Sequence, residues 1–211
     1  MTNVGRFFLR AGTVLLLGVF LVCSQMAFAD SPITSSTISD AYADVAIVAK
    51  AKSAGTIDQA MMEFLSNDKN PIDVKVAVVN ALGWSVDGNK TNAATYKSYL
   101  EGKYKVSGKA LLNKMSPAEQ LSLGYMTVMD DYFSPTEALP LLRRAVSREG
   151  KSFTFAIIFA LVKAQDAMED DFSKVWKVMD RVFKNKNLRD DMRPQAKDII
   201  LKYAELYKKT E

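Results

Sequence analysis

A right-handed α-α superhelix, an all-α solenoid of about four to five helix pairs, is the architecture expected of this chain. Helix-start signals recur along it while strand signals are nearly missing. Apolar residues fall at helical spacing over long stretches. A small-residue pattern also returns 79 residues after its first appearance, from Ala77 to Ala156, as two units of about 40 residues would place it.

The N-terminus reads as a secretory signal over residues 1–29. Arg6 and Arg10 form a basic start, residues 11–22 (AGTVLLLGVFLV) an uncharged apolar run, and Ala27-Phe28-Ala29 the small residues that a signal peptidase requires. The run is too short for a good membrane span, so no span is expected in the mature chain. Cleavage following Ala29 makes the protein periplasmic or secreted. The alternatives are an uncleaved anchor and lipid attachment at Cys23, for which Val22 is a poor neighbour. Residues 30–36 (DSPITSS), small and polar, read as a flexible lead-in. The helical repeat domain is expected over 37–211.

Within that domain the expected helices follow from capping and periodicity. The first covers 38–53. The second, 57–67, opens on Thr56-Ile57-Asp58-Gln59, and the third, 71–86, on Asn70-Pro71-Ile72-Asp73. Helices at 92–102 and 107–114 are less regular because Gly88, Gly102 and Gly108 interrupt them. The next two, 117–132 and 135–148, begin with near twins, Ser116-Pro117-Ala118-Glu119 and Ser134-Pro135-Thr136-Glu137. Each offers Ser as N-cap, Pro at the first helical position and Glu to close a capping box. The helix at 152–167 contains SFTFAIIFALV, free of charge and apolar on nearly every side, and so belongs between neighbours in the middle of the fold. Phe172, Val175, Trp176, Met179, Val182 and Phe183 share one face of a helix at 171–185. Met192, Ala196, Ile199, Ile200, Tyr203 and Tyr207 share one face of a helix at 190–208, with Lys208 and Lys209 at its C-terminal end.

The repeat lies in Ala77-Val78-Val79-Asn80-Ala81-Leu82 and Ala156-Ile157-Ile158-Phe159-Ala160-Leu161, both of the form A-x-x-x-A-L, with a degenerate copy beginning at Ala196. Residues 137–146 (EALPLLRRAV), followed by the helix holding Ala156, Ala160 and Leu161, resemble one unit of the HEAT-repeat family, Pro140 included. Residues 57–84 resemble another, and TPR-like helix pairs are similar in pattern. The resemblance implies a protein-binding scaffold and carries over no functional residue, because its motif records packing.

Composition narrows the chemistry. After cleavage, 26 basic and 24 acidic residues remain, a net charge of about +2, too balanced for a typical nucleic-acid binder. The chain has no His, and its one Cys leaves with the signal, so no disulfide, transition-metal centre or cofactor is expected. Asp130-Asp131, Asp170-Asp171 and Asp190-Asp191 stand at predicted helix ends, where Asp caps or faces water. Asp87-Gly88-Asn89-Lys90 is similar to a fragment of a calcium loop but lacks its alternating acids and reads as a turn. Glu101, Glu119 and Glu137 are the mid-chain carboxylates that a glycan-cleaving enzyme could use. The last two hold capping positions, so no catalytic residue is assigned.

The segment 90–114 carries the candidate for function. It has six Lys (Lys90, Lys97, Lys103, Lys105, Lys109, Lys114) against Glu101, with Tyr96, Tyr99 and Tyr104 interleaved. Lys97, Tyr99, Lys103, Tyr104 and Lys105 are the candidate partner-binding residues, since Tyr offers apolar area with a polar tip and Lys draws an acidic partner. A protein is the expected partner; an anionic glycan or lipid headgroup has the same charge. A solvated Lys face with half-buried tyrosines is the plainer reading. The expected function is a non-catalytic binding module or scaffold. The alternatives are a cell-envelope enzyme using carboxylates and an inhibitor or immunity-type protein.

Overall fold

Helix-capping residues and apolar stripes leave little room for anything but helix, and the computed structural model is helical throughout. It describes residues 31–85, 88–168 and 170–208. The expected signal peptide, Cys23, Asp30, Asp87 and Lys209 lie outside them. The described residues form α1 (Pro32–Ser35), a 3-10 turn (Ile38–Tyr42), α2 (Ala46–Ala54), α3 (Gln59–Ser66), α4 (Ile72–Ala81), α5 (Asn92–Tyr104) and α6 (Gly108–Lys114). Then follow α7 (Pro117–Asp130), α8 (Pro135–Arg148), α9 (Phe153–Met168), α10 (Ser173–Phe183) and α11 (Pro194–Glu205). Extended pairing among the described residues is limited to one parallel bridge, Ser152 to Arg189. No described helix is long and apolar enough to cross a membrane.

The expected lead-in is corrected by the structure. Within 30–36, residues 31–36 are packed, with Ile33 and Ser36 at 1% and 0% exposure. The cause lies in α4. The buried Asn80 side chain accepts from the Ser39 N–H (2.8 Å) and donates to the Ser36 carbonyl (2.9 Å) and the Tyr125 hydroxyl (3.0 Å). An amide that would be unpartnered in the core thus binds the N-terminal segment to α4 and α7.

Helix ends also move. The helix expected over 38–53 breaks at Val45, which is extended. The break lets Tyr42 turn inward, where its hydroxyl donates to Asp73 (2.8 Å) and accepts from the Arg193 N–H (3.2 Å). Asp58, not Thr56, caps α3, accepting from the Met61 N–H at 2.9 Å. The last expected helix begins at Pro194 rather than 190, because the preceding residues are engaged elsewhere. Arg189 bonds Lys151 and Phe153 through its backbone. Asp191 accepts from the Thr154 N–H at 2.9 Å, capping α9 from outside.

Two helices are enclosed. As expected, α9 is buried on most sides, packed against α8 and α10 and touching α1, α4 and α7. The other is α7, which packs on α8, α4, α5, α3, α9 and α1. At Gly124 a Cβ would lie 2.9 Å from Leu142 Cγ and Cδ2, so the missing side chain is what lets α8 approach. The small residues of the repeat pattern are buried at Ala77, Ala81, Ala160 and Ala196, while Ala156 is half-buried. From α7 to α11 each helix packs on the next. The 3-10 turn and α11 also meet: the Arg193 guanidinium, at the α11 N-cap, lies 4.6 Å from the Tyr42 ring centroid and pairs with Asp44 at 2.6 Å. A simple repeat stack needs only neighbour contacts; this clasp is additional. One residue of the α10 face is misplaced by periodicity. Phe172 is 54% exposed and stacks on Tyr207 rather than joining Val175 and Met179 in the core.

Candidate functional site

The candidate residues divide between two environments. Lys103 and Tyr104, on the last turn of α5, converge on Glu119 at the start of α7. Glu119 is fully buried. Its Oε1 accepts from Lys103 Nζ (2.7 Å), and its Oε2 accepts from the Tyr104 hydroxyl (2.8 Å) and the Ser116 N–H (2.8 Å). Ser116 Oγ accepts in turn from the Glu119 N–H, completing the capping box read from the sequence. Lys103 also donates to the Ser66 carbonyl at 3.2 Å. The carboxylate therefore has a cation, two further donors and the positive end of α7 around it, which is what a buried charge requires. Burial works against the charge on Lys103, but the bond and charge attraction to Glu119, with a lesser part from Tyr104, together outweigh it and raise the ammonium pKa. Burial, then the same carboxylate, push the Tyr104 hydroxyl up.

Lys97 and Lys105 are exposed, as are Lys109 and Lys114 on α6. Among the described residues these four make no ion pair. Elsewhere some lysines are matched, as in Lys52–Asp40, Lys184–Asp180 and Lys197–Asp190, while others, such as Lys69, Lys151 and Lys174, make no ion pair among the described residues. Tyr99 is half-buried and stacks on Tyr96, with ring centroids 6.2 Å apart. Tyr96 is buried, with its hydroxyl 3.1 Å from Ser66 Oγ. Lys90, the first lysine of the segment, is turned inward and holds the carbonyls of Gly55 and Leu82. Lys105 ends α5 in the left-handed region (φ 53°), and no other described non-glycine residue has positive φ. That conformation costs a side-chain-bearing residue roughly 1–2 kcal/mol.

The other polar features have local tasks. Asp130 is buried and accepts from the Ala93 N–H at 2.7 Å, so it caps α5 from the end of α7. Burial raises its pKa. Asp171 accepts from the Ser173 N–H at 2.9 Å, and Asp190 pairs with Lys197. No three Asp, Glu, His or Cys side chains among the described residues converge as metal ligands would. Of the mid-chain glutamates, Glu119 is fully engaged, Glu101 is half-buried and Glu137 is exposed.

Sequence reasoning missed Lys75. It is 1% exposed in α4, and its Nζ has no hydrogen-bond partner among the described residues. Its signal was available, since it is the one cation in IDVKVAVVNA. The chain matches no family model, no curated protein and no solved structure.

Proposed function

We propose that this is an exported, non-catalytic binding module whose α5–α6 segment engages an acidic protein surface. The observation that carries this reading is the group of four exposed lysines, Lys97, Lys105, Lys109 and Lys114, close together on α5 and α6 and making no ion pair among the described residues. Exposed like charges in one segment repel one another in the free protein, and an acidic partner relieves that repulsion. The strained backbone of Lys105 adds support, because glycine would fill the position at lower cost. Lys103 and Tyr104 act behind this surface: by binding Glu119 they fix the end of α5 on α7. The scaffold in this reading is a HEAT-like stack of about four to five helix pairs, supported by the neighbour-on-neighbour packing from α7 to α11. Export rests on the signal features before Ala29.

A variant carrying Lys97→Glu, Lys105→Glu, Lys109→Glu and Lys114→Glu tests the surface. It should keep the helical circular dichroism and melting behaviour of the parent. It should lose the partner that the parent captures from an envelope extract, and raising salt should release that partner from the parent, since exposed charges are screened over about 8 Å at physiological ionic strength. Capture by the folded variant that equals the parent and ignores salt removes this surface from the reading. Capture of glycan or lipid in place of protein reassigns the partner.

A further inference from the structure

A second feature lies apart from α5 and α6. A cleft of about 430 Å³ is lined by Asp68 and Asn70 before α4, Ile72 and Lys75 within it, Pro117 and Ala118 at the start of α7, and Glu149 beyond α8. Phe155 and Arg189 complete the wall. Volumes of this order suit a small ligand. Among the described residues, Lys75 is the only buried lysine and its ammonium lacks a hydrogen-bond partner. Leaving a buried cation unmatched costs several kcal/mol. Burial lowers the Lys75 pKa; Asp68 and then Glu119 favour its charge without bonding it, and both Glu119 oxygens are taken by Lys103, Tyr104 and the Ser116 N–H. Ile72 and Ala118 also bring the first turns of α4 and α7 to the cleft, and helix N-termini favour anions.

A simple anion is not the best match. Asp68 and Glu149 line the same cleft and neither makes an ion pair among the described residues, while Arg189 is engaged with Asp191 at 3.0 Å. The cleft thus offers a buried cation without a hydrogen bond and two carboxylates outside any ion pair among the described residues, with Ile72, Pro117, Ala118 and Phe155 supplying apolar wall. We propose that it binds a small zwitterionic peptide, whose carboxylate is held by Lys75 at the starts of α4 and α7 and whose ammonium is held by Asp68 and Glu149. The apolar wall takes a small hydrophobic side chain. This site is independent of the α5–α6 surface, and the two assignments stand or fall separately.

Calorimetric titration with glycylleucine tests it, alongside N-acetylglycylleucine, which keeps only the carboxylate, glycylleucine amide, which keeps only the ammonium, and inorganic phosphate. The expected result is saturable binding of glycylleucine in the millimolar range or tighter, with each blocked peptide and phosphate weaker. Lys75→Met replaces the buried cation with an apolar chain of similar length, so it should melt no lower than the parent while binding glycylleucine about tenfold or more weakly. Asp68→Asn with Glu149→Gln changes only partly or fully exposed side chains and leaves the fold unthreatened. It should weaken glycylleucine and remove the preference over the N-acetyl form. Absence of saturable binding overturns the proposal. So do blocked peptides or phosphate that bind as well as glycylleucine, or unchanged affinity in either variant.

Discussion

The starts of α7 and α8 share the sequence Ser-Pro-x-Glu but not their structure. At α7, Ser116 is extended (φ −66°, ψ 161°) and its hydroxyl reaches the Glu119 N–H, while Glu119 turns back to the Ser116 N–H. At α8, Ser134 sits at φ −115°, ψ 53°, and makes no side-chain cap bond. The four residues joining the two helices explain this. Asp131 Oδ1 accepts from the Phe133 N–H at 3.2 Å, and the Asp131 carbonyl accepts from the Ser134 N–H at 3.3 Å. That tight turn fixes Ser134 outside the extended region that an N-cap side chain needs. Glu119 then recruits Lys103 and Tyr104 in the interior, and Glu137 remains in water. The lesson is that a capping motif gives a helix start, while the approach of the preceding chain decides whether its side chains close the box.

Glu119→Ala should break the comparison most severely. It strips the partner from Lys103, Tyr104 and the Ser116 N–H at once; Lys103 is 34% exposed and water can take its charge, so the loss is that of the charge-assisted hydrogen bonds, about 1.5–3 kcal/mol each. Denaturant melts should show that loss, against a change within about 0.5 kcal/mol for the exposed Glu137→Ala. The same network sets an alkaline dependence. Lys103 has a raised folded pKa, so its contribution is complete below the ordinary lysine value and is lost as pH rises through the folded value. Tyr104, also raised, acts in the same direction above the ordinary tyrosine value. Melts on the alkaline side should therefore decline less steeply in Glu119→Gln than in the parent, while Glu137→Gln follows the parent.

Next in size is Ala160→Leu on α9. Ala160 is 4% exposed, and overpacking a filled core costs about 1–3 kcal/mol. Glu101→Ala, on the half-buried side of α5, should cost far less, and equal small effects in denaturant melts would mean that α9 has room around it. Smaller again is Ser116→Ala, which removes one cap bond, typically about 1 kcal/mol, and leaves the Glu119 contacts in place.

The comparison also shows what the sequence carried. Helix content and the enclosed position of α9 were legible, because a charge-free run has only one stable place to go. The enclosure of α7 was not, because Glu119, Gln120, Ser122 and Asp130 look like surface residues until their partners are known. Those partners come from residues far apart in sequence, such as Lys103 for Glu119 and Ala93 for Asp130. The lead-in at 30–36 was misread for the same reason, since its Ser36 is bound by Asn80, 44 positions away. In the candidate segment, composition identified the lysine-rich stretch. It could not separate Lys103 and Tyr104, which face a buried acid, from Lys97 and Lys105, which face water.

The smallest expected effect is the most exacting test. Ser134→Ala together with Glu137→Ala deletes both side chains of the α8 motif. If α8 were capped as α7 is, the pair would cost at least the roughly 1 kcal/mol of a lost N-cap, and more with the reciprocal bond. The observed start works differently: the Ser134 carbonyl accepts from the Glu137 N–H at 3.3 Å, a backbone bond that alanine keeps. Pro135 supplies the first-turn geometry and needs no donor. What the double variant removes is a favourable acidic charge near the helix N-terminus, about 0.3–1 kcal/mol at low ionic strength and less when screened. The denaturant midpoint of the double variant should therefore approach that of the parent as salt is raised, with an unchanged slope. A larger loss that persists in high salt would mean that Ser134 and Glu137 close a box in solution, and the two helix starts would then be alike.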